Sequence, residues 1–275
     1  MISRRTFLAR AGAVAVAASF PVAKAFPLDL PLGFQSFDLN GPLKEDFQGT
    51  LNRVAGLGYQ WIDYVWVSGG SMSGAEVRKA FDAAKLGCPN CHYSWKALHD
   101  EYDQTIAIAH ELGNQSLICQ SMGTNTKTAD GWKWHADGLA ELSLKTKKDG
   151  ILTGYHNHPT EFKEVEGKLP FEILASGTDK DLVKFQLDLG SVAVTGHDPL
   201  QVMEQYKGRL FSIHAKDVKD GRTGIAVGEG TLDWKALFAA AKKQGLMNYA
   251  VETGAKGDAA WEKLGKSFEY LRAMK

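Results

Sequence analysis

The sequence predicts an α/β fold, a single closed parallel (β/α)8 barrel. Three observations carry that prediction. Short apolar runs alternate with amphipathic stretches after Phe26, eight such runs occur, and their starts lie 24 to 38 residues apart. That spacing is one strand–helix–strand step with its connections. Eight steps fill roughly 250 residues, the usual length of one such barrel. The alternative is an open doubly wound sheet, which carries a phosphate-binding glycine turn after its first strand. Here the first apolar run leads into Asp38-Leu39-Asn40-Gly41 instead.

The candidate strands are 31–37, 60–66, 91–95, 115–120, 151–157, 183–188, 210–215 and 248–252. Most are near-continuous apolar, β-branched or aromatic runs, as strands covered on both faces require. The helices between them show a 3.6-residue period. Val77, Ala80, Phe81 and Ala84 line one, Ile106, Ile108, Ala109 and Leu112 another, and Leu237, Phe238 and Ala241 a third. Gly58, Gly87 and Gly113 follow leucines and Gly245 follows Gln244 at the expected helix ends. Glycine there takes the left-handed conformation without a Cβ clash. No linker or composition break interrupts 26–275, which reads as one domain.

Residues 1–25 read differently. They hold Arg4, Arg5, Arg10 and Lys24 and no acid, with a Ser3-Arg4-Arg5-Thr6-Phe7-Leu8 opening. An Ala/Val-rich stretch over 11–20 follows, then Ala23-Lys24-Ala25 in a small-x-small pattern. This is the layout of a twin-arginine signal peptide, and it implies a periplasmic protein. The apolar stretch is short against the roughly 20 residues of a membrane helix, so the mature form is expected to lack a span. The whole chain balances 32 Lys and Arg against 32 Asp and Glu. Without the four basic residues of the leader the mature charge is −4. A mildly acidic chain argues against a nucleic-acid partner. Cys88-Pro89-Asn90-Cys91 has redox-motif spacing, but nothing around it suggests a redox fold, and Cys119 has no partner in sequence. A structural role, as thiols or a disulfide, is the expectation.

Chemistry concentrates at the carboxyl ends of the later strands, where a barrel builds its active site. The fifth run ends Tyr155-His156-Asn157-His158-Pro159-Thr160-Glu161-Phe162 and the sixth ends Asp188-Leu189-Gly190. The seventh ends His214-Ala215-Lys216-Asp217 and the eighth ends Val251-Glu252-Thr253. Four neighbouring strands thus deliver His, Asp, His and Glu to one rim. Mixed imidazole and carboxylate donors suit Mn2+, Zn2+, Co2+ or Fe2+ better than calcium, with Mg2+ a further option. Lys216 lies two residues beyond His214 and shares its face of a strand, so it can donate to a sugar oxygen or an enolate. His92 in the third run and Gln35 near the end of the first are candidate substrate donors.

These motifs, with Gly228-Glu229-Gly230-Thr231-Leu232-Asp233-Trp234, resemble in order those of the xylose-isomerase-like TIM barrels. That superfamily holds sugar isomerases, epimerases and inosose dehydratases, often named sugar phosphate isomerase/epimerase. The resemblance runs from the first strand to the eighth. It implies a divalent metal held by His156, Asp188, His214 and Glu252, and a substrate contact from Glu161. Many relatives carry a glutamate at the position of His156, paired with the one matching Glu252 for proton transfer. His158 shares the strand face of His156, so His158 or Glu161 can take its place as ligand.

The expected activity is isomerisation or epimerisation of an unphosphorylated or oxidised sugar by proton abstraction beside a carbonyl. Glu252, His158 or Lys216 would move the proton. A keto-sugar or keto-glycoside lyase or dehydratase is the enzymatic alternative, and a non-catalytic sugar-binding barrel is the alternative of another class. The sequence leaves the oligomeric state open.

Overall fold

A computed structural model describes residues 26–274. The leader expected at 1–25 lies outside the described residues. Eight parallel strands close into one barrel in chain order. They are β1 Leu32–Gln35, β2 Trp61–Val65, β3 Asn90–Tyr93, β4 Ser116–Cys119, β5 Leu152–His156, β6 Val183–Asp188, β7 Leu210–Ala215 and β8 Asn248–Val251. Closure is complete because Phe34 of β1 pairs with Ile62 on one side and with Val251 of β8 on the other. Among the described residues no sheet edge is left for another chain to pair with.

The helices are α1 Asn40–Glu45, α2 Phe47–Leu57, α3 Gly74–Ala83, α4 Trp95–His99, α5 Tyr102–Leu112, α6 Ala129–Lys148, α7 Pro170–Gly177, α8 Leu189–Ala193, α9 Pro199–Gln205, α10 Trp234–Gln244 and α11 Asp258–Ala273. Their apolar stripes cover the strands from outside in one continuous core. Among the described residues no helix is long and apolar enough to cross a membrane. Gly58, Gly113 and Gly245 end α2, α5 and α10 in the left-handed conformation. Gly87 does not do this for α3. Lys85 takes the positive φ of 58° there, and Gly87 already pairs with Trp61 in extended chain.

The barrel interior is layered. At its amino end Asn90 hydrogen-bonds to both Ser116 and Asn248. Above them the β6–β7 register shifts by one residue. Phe211 occupies the room left by Gly154, where an added Cβ would meet its ring at 3.0 Å. The layer at the carboxyl end is polar, and it is where the expected ligands collect. All three cysteines are buried free thiols. Burial pushes the Cys88 thiol up to about 12, so it stays protonated and inert at neutral pH.

Candidate functional site

β5 to β8 deliver the expected residues to one place. One donor atom from each of His156, Asp188, His214 and Glu252 lies within 4.8 Å of the others, all four side chains buried. The backbone explains the convergence. Asp188 pairs with His214 across β6–β7, and Glu252 directly follows β8, its N–H bonded to Ala215 O.

His156 sits at the last position of β5. Its Nδ1 is buried with no hydrogen-bond partner. Burial, reinforced by the neighbouring imidazoles, pushes its pKa well below the usual 6.5. A neutral imidazole with an orphaned buried nitrogen is the chemistry of a metal ligand. Asp188 plays two parts. Its Oδ1 accepts the N–H of Ser191 and caps α8, while Oδ2 accepts Lys216 Nζ at 3.0 Å. Glu252 is divided the same way, Oε1 facing Lys216 Nζ and Oε2 facing His214 Nδ1, both at 2.7 Å. Burial alone would raise the Glu252 carboxyl, but Lys216 and His214 hold it well below the usual range. Burial would likewise lower Lys216, yet Asp188 and Glu252 keep it firmly protonated. The donor set of two imidazoles and two carboxylates therefore fits a divalent transition ion.

Above the cluster opens a cavity of about 540 Å3, lined by Gln35, His92, His156, His158, Lys216 and Glu252 among others. His158 lies past the end of β5, where a 3-10 turn, Pro159–Phe162, begins. It is half-buried, its ring edge-on to His156 with centroids 5.0 Å apart. Ideal strand alternation therefore stops at His156. Glu161 lies outside the cavity wall. Its carboxylate accepts from Tyr155 Oη at 2.6 Å, the N–H of His158 at 2.8 Å and Thr160 Oγ1 at 2.9 Å. The structure thus gives Glu161 the work of bracing the β5 turn. Lys163 and Glu164 beyond it are exposed.

Two parts of the site were missed in the sequence. Asp63 on β2 reaches His214 Nε2 at 2.7 Å from across the barrel. Gln186 on β6 donates to the same Asp63 oxygen at 2.7 Å and meets His92 Nε2 at 2.8 Å. The available signal was a charged residue within an otherwise apolar and aromatic run, Trp61-Ile62-Asp63-Tyr64-Val65. The loop after β7 forms one wall. Asp217, fully buried, accepts from the backbone N–H groups of Val218, Gly228, Gly230 and Leu232 and from the Trp234 indole.

Comparison with known proteins agrees with this architecture. The family described as xylose isomerase-like TIM barrel matches residues 51–274. An inosose dehydratase of Clostridium beijerinckii is 24% identical over 214 residues, covering 69% of this chain and 70% of that protein. An inosose dehydratase of Lacticaseibacillus casei is 27% identical over 167 residues, 54% of each chain, so the chain spans about half the length of that relative. A solved sugar phosphate isomerase/epimerase from Parabacteroides distasonis superposes with a TM-score of 0.79 at 25% identity. It covers 94% of this chain and 98% of its own. Barrel, rim and family match coincide: the chain belongs to the xylose isomerase-like TIM barrel family.

Proposed function

We propose that the protein is a divalent-metal-dependent carbohydrate enzyme that removes the proton beside a sugar carbonyl and then eliminates a neighbouring oxygen, as a dehydratase or keto-sugar lyase. The observation that carries this reading is His156. A buried neutral imidazole with a free nitrogen stands where the family resemblance implies a second carboxylate. Two-base epimerisation needs a proton carrier on each face of the carbon, whereas elimination needs one base and an acid for the leaving oxygen. The inosose dehydratase relatives support the same outcome.

His156, Asp188, His214 and Glu252 would hold the cation, which supplies Lewis-acid polarisation of the carbonyl and the adjacent hydroxyl. Glu252 is the base. Lys216 turns from Glu252 to the developing oxyanion, and losing that ammonium raises the basicity of Glu252 when the proton must be taken. His158, at the mouth, returns a proton to the leaving oxygen. Gln35 and His92 present polar atoms to the sugar hydroxyls. The periplasmic destination read from residues 1–25 favours unphosphorylated or oxidised sugars as substrates. Epimerisation is the second reading, supported by the Parabacteroides structure's own designation.

Incubation of metal-loaded protein with keto-sugars in deuterated water separates the two. An unsaturated product shows the lyase. Deuterium in recovered or inverted sugar without loss of water shows the epimerase. If no carbon-bound proton exchanges with any candidate while sugar still binds, both readings fall and a binding barrel remains.

A further inference from the structure

Asp63 belongs to none of the four strands that carry the cation ligands. β2 and β7 are not neighbours, so its contact with His214 crosses the barrel interior. The carboxylate is fully buried and uses its oxygens unequally. Oδ2 receives His214 Nε2 at 2.7 Å, Gln186 Nε2 at 2.7 Å and His92 Nε2 at 3.3 Å. Oδ1 has no hydrogen-bond partner among the described residues. A carboxylate kept only to hold strands together would satisfy both oxygens, because a buried unpaired acceptor costs stability. This one is committed to a single point.

Gln186 fixes that point. Its amide nitrogen bridges Asp63 Oδ2 and Ser212 Oγ, at 2.7 and 3.2 Å. The His92 ring stacks on His214 with centroids 5.6 Å apart and planes 10° from parallel. His214 is thus held in plane, with Nε2 facing a carboxylate and Nδ1 facing Glu252. Both nitrogens face a carboxylate, but Glu252 belongs to the donor cluster and Asp63 does not, so an ion seated in the cluster would replace the proton at Nδ1 while Asp63 keeps the one at Nε2. A carboxylate behind a ligating histidine sets its tautomer and strengthens its donor nitrogen.

We propose that Asp63 is a positioning residue that acts through His214, fixing the imidazole as an Nδ1 donor to the cation, with Gln186 holding the carboxylate in place. The proposal rests on the cation reading above. It concerns affinity for the ion and is separate from the identity of the sugar.

The test is Zn2+ binding, measured by competition with a chromophoric chelator, for wild type and Asp63→Asn. Asparagine keeps the shape and an acceptor oxygen but removes the charge. The expected result is affinity weakened by about 10- to 100-fold, with the fold retained by circular dichroism. Asp63→Asn protein that binds Zn2+ as tightly as wild type overturns this proposal and leaves the functional reading standing. Wild-type protein that binds no Zn2+ overturns the functional reading and this proposal with it. If Asp63→Asn does not fold, the wild-type ring decides. Nitrogen-15 spectra of Zn2+-loaded protein should show His214 ligated through Nδ1 and protonated at Nε2. Ligation through Nε2, or a proton on Nδ1, overturns the proposal.

Discussion

His214 lies between two carboxylates, and that makes its proton unusually hard to remove. Burial alone would lower its pKa, but Asp63 and Glu252 override burial and lift it from the ordinary 6.5 to about 10. The ion-free folded protein therefore keeps a proton that the unfolded chain loses above about pH 6.5. That stabilisation is complete below 6.5 and fades as the pH climbs through 10. Thermal melting of chelator-treated protein should fall across this window, and His214→Gln should flatten the slope. A cation at Nδ1 displaces the same proton, so Zn2+ should remove most of the pH dependence. The four clustered side chains were legible in the sequence because each lies at or just past the end of a strand, where side-chain direction follows from period-two alternation. Asp63 was not, because its role depends on which strands face each other across the interior. Glu161 shows the opposite limit. Its place in the motif suggested a substrate contact, but a 3-10 turn directs its carboxylate into its own loop.

At the scale of elements the strand positions followed closely from hydrophobic runs. β6 and β7 begin and end where the pattern does, while β1 and β3 each stop two residues early. The reason is local. Gln35 accepts the N–H of Phe37 and opens a 3-10 turn, and Ser94 caps α4 and closes β3 at Tyr93. Such side-chain caps compete with the sheet and leave no mark on hydropathy. The end of α3 is the clearest departure, since Lys85 rather than a glycine holds the left-handed position. A non-glycine residue there costs about 1 kcal/mol, partly offset by the chain entropy of glycine. Lys85→Gly should therefore stabilise the protein by about 0.5 kcal/mol in urea unfolding. A destabilised variant would mean that the lysine side chain makes a contact worth more than the strain. The opposite constraint acts at Gly33, where an added Cβ would fall inside the Trp61 indole.

For the molecule as a whole, a cation held by the four clustered side chains would join the ends of four successive strands, so binding it would be coupled to folding. At 100 times its dissociation constant a ligand adds about 2.7 kcal/mol. For a chain of this size that raises the melting temperature by roughly 5 to 10 °C. Zn2+ should give such a shift, a chelator should reverse it, and Asp188→Ala should abolish it. A shift retained in Asp188→Ala would place the ion elsewhere.

The loop after β7 carries a consequence for binding. Five donors converge on Asp217, four from the backbone of one loop and one from Trp234. These bonds fix Val218 and the stretch from Gly228 to Leu232, the two flanks of the loop whose tip, 221–223, lines the cavity. Association then incurs little entropy loss for ordering this wall, and the contacts made there appear more fully in affinity. Recognition on this side should be close to lock-and-key, with selectivity arising from what the rigid wall refuses.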